Sequence, residues 1–198
     1  MKEATMRDEI KTERLVLRPL ELSDAPAFSQ LASDYDIAKM TGSLPHPMPL
    51  YSAEFKIMSL RNRKQRGLAY PYAITLDGGE LIGVMDLFRS APNAALEIGY
   101  WIGKPYWGQG LSTEAAKAVI TEARETLGVE ALIAGAFADN PASLRVLEKL
   151  GFKQTGKTEM YFSMGRMEKA LSLNLRLDLN ASEGAVPRHS SLQLMMSA

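Results

Sequence analysis

Between residues 96 and 127 the chain runs from an alternating apolar stretch (Leu96, Ile98, Tyr100, Ile102) through the loop Trp107-Gly-Gln-Gly110 into a segment whose apolar residues, Leu111, Ala115, Ala118, Val119 and Leu127, mostly recur at helical spacing. That order, strand then glycine loop then helix, predicts a fold in which helices lie on a sheet. The first amide N–H groups of a helix have no partner inside it, and the helix dipole adds positive potential where they point, so such a loop suits an anion. Glycine at 108 and 110 admits a left-handed backbone and removes the Cβ atoms that would hold a pyrophosphate away. Ser112 and Thr113 add hydroxyl donors. A dinucleotide fingerprint needs a third glycine where Thr113 stands, so taken alone the Gly-Gln-Gly loop also describes a tight turn with no ligand.

A second signature follows. After the apolar run Ala131 to Phe137, the segment Asp139-Asn140-Pro141 reads as a helix start, with a capping asparagine and proline in the first turn. Leu144, Leu147 and Leu150 form the buried stripe of that helix and Gly151 closes it. Gly151 to Thr158 also matches the phosphate-binding P-loop pattern letter for letter. A working P-loop follows a strand and opens a helix, whereas this one follows a helix and runs into the strand-like Met160, Tyr161 and Phe162, so the match is read as accidental.

Together, Glu97-Ile-Gly-Tyr-Trp, Tyr106-Trp-Gly-Gln-Gly-Leu-Ser-Thr-Glu-Ala115 and Asn140-Pro-Ala-Ser-Leu-Arg-Val-Leu-Glu-Lys-Leu-Gly-Phe152 resemble the GNAT acetyl-CoA-dependent N-acetyltransferases over about Thr12 to Leu175. Within them the chain is most similar to the branch that acetylates N-terminal alanine or serine of ribosomal proteins. The resemblance implies an enzyme that moves acetyl from acetyl-CoA to a primary amine, either the α-amine of a protein or peptide or a small-molecule amine, by direct attack in a ternary complex. It implies that the strands at 97–102 and 131–137 splay apart and admit the pantetheine arm. Cofactor contacts would come from Tyr100, Trp101, Ile102, Trp107, Gly108, Gln109, Gly110, Leu111, Ser112, Thr113, Asn140 and Ser143. Glu97 is the implied base, with Glu159 as a fallback, and a backbone N–H near Gly99 to Ile102 the implied oxyanion donor. The chain departs from the broad superfamily at Leu147, where many members carry the tyrosine that protonates the thiolate. The resemblance to the N-terminal branch, which has this serine, leaves Ser143 to protonate the thiolate or position the thiol. The chain also departs at Trp107, usually Arg or Gln, and at Ser112, usually Gly or Ala. As bare structure, Glu97 equally reads as a surface glutamate paired with a lysine, and Ser143 as a first-turn serine bonding locally. A non-catalytic acetyl-CoA sensor would need the same glycines and Asn140, and stays open.

The rest of the chain is consistent with one domain. With 198 residues and 46% hydrophobic content it can bury one core. Strands are expected at Leu15–Leu17, Tyr70–Leu76, Glu80–Phe88, up to Ile102, Ala131–Phe137, Lys153–Phe162 and Lys169–Leu175, with Asp77-Gly78-Gly79 as a hairpin turn. Ser23-Asp24 is expected to cap a short helix through Phe28 and Leu31, followed by a proline-rich loop at 42–49 and a helix from Tyr51 to about Arg66. The fold class expected is α/β (α+β): a mixed, mostly antiparallel sheet of six to seven strands with helices on both faces. Residues 1–11 would form an extension, 12–178 the acetyltransferase domain and 179–198 a disordered tail.

Twenty-three basic residues cancel twenty-three acidic ones, so a dedicated nucleic-acid surface is not expected. The absence of cysteine excludes a cysteine nucleophile and cysteine metal ligands, and His46 and His189 lack ligand spacing, so no metal is expected. No secretory signal or bilayer-length apolar run is apparent, and a cytoplasmic location with no membrane partner is expected. Whether the chain forms a homodimer is left open.

Overall fold

The structure, a computed structural model, describes residues 5–179 apart from positions 90, 92 and 93. The expected tail, except Leu179, lies outside the described residues, as does His189. Eight strands form one sheet: β1 (Ile10–Lys11), β2 (Leu15–Arg18), β3 (Ala69–Leu76), β4 (Leu81–Phe88), β5 (Glu97–Ile102), β6 (Ala131–Phe137), β7 (Lys153–Ser163) and β8 (Glu168–Asp178). Their order is β1-β2-β3-β4-β5-β6-β8-β7, antiparallel throughout except between β5 and β6. The strand beyond the expected seven is β1, whose two residues pair with Leu17 and Val16 and are too short to show a period.

Helices cover both faces because the central strands are apolar on both. On one side α4 (Leu111–Leu127) and α5 (Pro141–Lys149) pack Leu111, Ala115, Val119 and Leu147 against Ile74, Met85 and Leu87. Met6 and Ile10 enter this core, and Arg7 donates from its backbone N and Nε to the buried Glu122 of α4 at 2.9 and 2.6 Å. On the other side α1 (Ala25–Ala32), α2 (Tyr35–Ala38) and α3 (Leu50–Gln65) pack Phe28, Ile37, Ile57 and Leu60 against Ala73, Leu81 and Val84. Each large side chain so buried contributes about 1.5–3 kcal/mol of transfer free energy.

Local details go beyond the sequence reading, and one corrects it. Asp24 precedes α1, but its buried carboxylate accepts from the Glu21 N–H at 2.8 Å and from Arg18 at 2.7 and 2.9 Å instead of capping the helix. The short helix α2 was not anticipated, since four residues cannot show a periodic stripe. The loop at 42–49 is anchored by Leu44 and Met48, both buried, and the Met48 carbonyl accepts from the Ser29 and Ser33 hydroxyls. The hairpin turn behaves as read, with Asp77 and Gly78 both at positive φ.

Candidate active site

The sheet opens at its one parallel neighbour. β5 and β6 share a single paired position, Glu97 with Ile133, where the Ile133 N–H donates to Leu96 O at 3.0 Å. Beyond it the strands diverge, although each stays fully paired on its far side. Backbone groups alternate sides along a strand. Leu96 O faces β6, so Ile98 and Tyr100 also present their N–H and C=O groups to the gap, as does Gly135 from β6. The next carbonyls are already used: Ile102 O accepts from Trp107 Nε1 at 2.6 Å, and Phe137 O from the Asn140 N–H at 2.9 Å. Unpaired backbone of this kind requires an outside partner.

At the mouth of the gap stands the start of α4. Gly108 and Gly110 adopt φ values of 76° and 77°, and Gly110 is the residue before the helix. No side chain caps this end, and the first intrahelical bond is Glu114 N–H to Gly110 O, leaving the amides of Leu111, Ser112 and Thr113 without helical acceptors. The contrast with α5 is informative. There Asn140 Oδ1 accepts from the Ser143 N–H at 3.1 Å, so that end is satisfied by the protein itself. Space around Gly108 is open, and a Cβ at Gly110 would have Arg14 Nη2 as its neighbour at 3.8 Å. The cradle therefore fits a diphosphate held by main-chain donors.

Side chains lock the cradle rather than fill it. Trp107 ties the loop to the end of β5, Gln109 Nε2 donates to Pro105 O at 3.3 Å, and the Leu111 side chain points into the core. Arg14, which sequence reasoning missed, donates to Gln109 O at 3.0 Å and pairs with Glu114 at 2.6 Å. Burial alone would raise the Glu114 carboxyl, but bonds from Thr12 and Arg14 hold it below the usual range. Arg14 lies 95 residues from Gln109 in sequence, and no local pattern links them.

Around the gap the structure brings Glu97, Tyr100, Asn140 and Ser143 together along one groove. Tyr100 Oη lies 3.1 Å from Ser143 Oγ, and burial pushes the phenol up to about 12 despite that hydrogen bond. Glu97 is raised above the ordinary carboxylate range, first by burial and then by the negative charge of Glu159, which also lines the groove. Trp101 lies on the same face of β5 as Glu97, opposite to Tyr100, and packs edge-on against Phe28, 4.9 Å between ring centroids. Arg166 organises the rim: it donates to Lys39 O and grips Asp139 at 2.7 and 2.9 Å, joining the end of α2 to the loop before α5.

Gly151 to Thr158 forms the turn after α5 and the first half of β7, with no helix after Lys157, so the P-loop geometry is absent from that segment. Among the described residues, no three His, Cys, Asp or Glu side chains group as metal ligands, and no helix is long and apolar enough to cross a membrane.

Residues 14–153 match the family model described as an acetyltransferase (GNAT) domain. The chain belongs to the GNAT acetyltransferase family. Among GNAT relatives, the probable N-acetyltransferase YjcK of Bacillus subtilis is 32% identical over 154 residues, covering 74% of this chain and 84% of its own. The solved structure of RimL, a ribosomal L7/L12 alpha-N-protein acetyltransferase in complex with coenzyme A, superposes with a TM-score of 0.77 at 21% identity, covering 87% of this chain and 99% of that one. Mycobacterium smegmatis RimJ in complex with CoA-disulfide gives 0.73 at 22%, covering 83% of this chain and 82% of its own. At those identities the likeness is one of fold.

Proposed function

We propose that this GNAT protein is an acetyl-CoA-dependent N-acetyltransferase acting on a primary amine, with a protein or peptide N-terminus as the acceptor. The observation that carries the reading is the single-bridge opening between β5 and β6, which ends at an uncapped helix start. RimL and RimJ, bound to coenzyme A derivatives in a similar fold, support coenzyme in that opening, and RimL supports a peptide α-amine as acceptor.

The residues divide the chemistry among them. Main-chain amides of Gly110, Leu111 and Ser112 hold the diphosphate, while Ile98, Tyr100 and Gly135 offer backbone partners to the amides of the pantetheine arm. Acetyl-CoA, when bound, supplies an already activated acyl thioester. Glu97 takes the proton of the incoming ammonium, directly or through a water, and burial, followed by the charge of Glu159, makes its carboxylate a stronger base than an ordinary one. The Tyr100 N–H, directed into the gap, receives the charge that develops on the acyl oxygen. Ser143 Oγ, its hydroxyl oriented by Tyr100 Oη, passes a proton to the leaving sulfur and regains one from solvent, as Glu97 gives up to solvent the proton it took from the ammonium. Holding both reactants in one groove supplies much of the rest, up to roughly 7–11 kcal/mol of the barrier.

The test is mass spectrometry after offering acetyl-CoA with pooled N-terminal peptides, small amines and aminoglycosides. Acetylated product is expected, with a rising pH limb above the ordinary carboxylate range that disappears in Glu97→Gln. Turnover should collapse in the Glu97→Ala/Ser143→Ala double variant while calorimetric coenzyme affinity persists. Coenzyme binding with no product from any amine would instead assign a sensor.

A further inference from the structure

Gly135 stands in the interior of β6, where glycine weakens a strand. Nothing in the fold asks for it there. β6 keeps an unbroken register with β8 from Ala131 to Phe137, so Gly135 marks no bulge, and it is not among the glycines with positive φ. A Cβ built on it would meet Ser172 Oγ at 3.5 Å and Glu97 Oε1 at 3.7 Å, both ordinary contacts, so lack of space does not require it either. What the missing side chain does is leave two oxygens, one from β5 and one from β8, facing a single point over exposed main chain in the groove. A strand glycine of this kind marks a close approach by another group.

The two oxygens say which group. Ser172 is 6% exposed, and its hydroxyl donates to Ala136 O only at 3.5 Å, longer than a good O–H···O bond, so its lone pairs stay free to accept. Glu97 Oε1 is an acceptor too, so the point takes a donor. Glu159, directly across from Ser172 on β7, adds negative charge, and it rather than any cation is the charge that acts on Glu97. Arg176, which lines the same groove, is engaged by Asp178 at 2.7 Å. Asp86 does not share the point: it lies on β4 under α3, beside Lys56 and Arg63, with Oδ1 buried and unpartnered, and the Phe88 ring covers Gly99 between it and Glu97. A primary ammonium carries three N–H groups and suits two acceptors that flank one position. We propose that Ser172 is an acceptor-binding residue, its Oγ accepting from one N–H of the substrate ammonium seated over Gly135 while Glu97 removes a proton from the same nitrogen. Ser172 so keeps hold of the amine once it is neutral, and the Gly135 backbone, which fronts the gap, sets that nitrogen beside the thioester. This rests on the acetyl-transfer reading and names what holds the acceptor nitrogen, whatever the rest of the acceptor is.

The test uses the full chain with acetyl-CoA and two primary amines, a hexapeptide with a free N-terminal serine and benzylamine. Ser172→Ala should raise the amine KM about ten- to a hundredfold, the loss of one hydrogen bond to a charged group, with kcat changed by less than about threefold. Calorimetric coenzyme affinity should hold, whereas a merely structural serine would lower kcat and coenzyme affinity and leave the amine KM in place. Ser172→Thr, which keeps a hydroxyl in a strand, should recover most of the loss. Gly135→Ala puts a methyl where the ammonium sits and should raise the amine KM about tenfold or more, at a melting temperature equal to or above that of the wild type. Both changes remove one seat, so the double variant should lose little more than the worse single variant. A wild-type amine KM in Ser172→Ala or in Gly135→Ala, or additive losses in the double variant, overturns the inference and leaves acetyl transfer standing. Coenzyme binding with no acetylation of any amine overturns both.

Discussion

Replacing Asp86 by Asn should change how stability depends on pH. In the fold this carboxyl titrates at about 7 against an ordinary value of 3.8, because burial outweighs the pull of Arg63 and Lys56. Between those values the folded state holds a proton that the unfolded chain has released, so stability falls as pH rises. The stability is fully present below 3.8, is lost progressively up to about 7, and changes no further above it. The whole span is worth at most about 4 kcal/mol, and about 2–3 kcal/mol of it falls between pH 5 and 8. Asparagine cannot ionise, so the melting temperature of Asp86→Asn relative to wild type should climb by about 5–10 °C over that range. Thermal or urea unfolding of both proteins at several pH values reads this directly. Parallel curves would mean that Asp86 is ionised at its ordinary value in the fold, and the account of an unpartnered carboxylate under α3 would be wrong.

Two further outcomes address the cradle and the proton path. Gly110→Ala should cost about 1–2 kcal/mol through its left-handed backbone, lowering the melting temperature by a few degrees, with no clash because the nearest atom to the new Cβ is Arg14 Nη2 at 3.8 Å. Coenzyme affinity should fall at least about tenfold because the methyl intrudes on the diphosphate, and an unchanged calorimetric Kd would assign this glycine to the turn alone. Ser143→Ala should lower kcat about tenfold or more, Tyr100→Phe should lower it less, and the double variant should match Ser143→Ala, since Tyr100 acts through Ser143. Additive losses in the stopped-flow or steady-state rates would refute that coupling.

Much of this was readable from residues 96 to 152. The glycine loop, the helix it opens and the capped start at Asn140 are local events, governed by neighbours within a few positions, and they stand where the spacing places them. The strand-turn-strand at Asp77-Gly78 was legible for the same reason. Asp24 was not, because its bond to Arg18 and its burial outrank the capping role its position invites. Arg14 and Arg166 were invisible as site residues, since each acts on a segment brought close only by the fold.

The sequence by itself determined the fold class, the glycine turn that opens α4 and the family, because alternation, helical period and glycine placement are short-range signals. Only the tertiary structure decided how far β5 and β6 part, that Tyr100 meets Ser143, and that Asp86 lies buried without a partner beside Glu97. Those facts depend on burial and on contacts between strands and helices far apart in the chain, and no run of neighbouring residues encodes a desolvated charge.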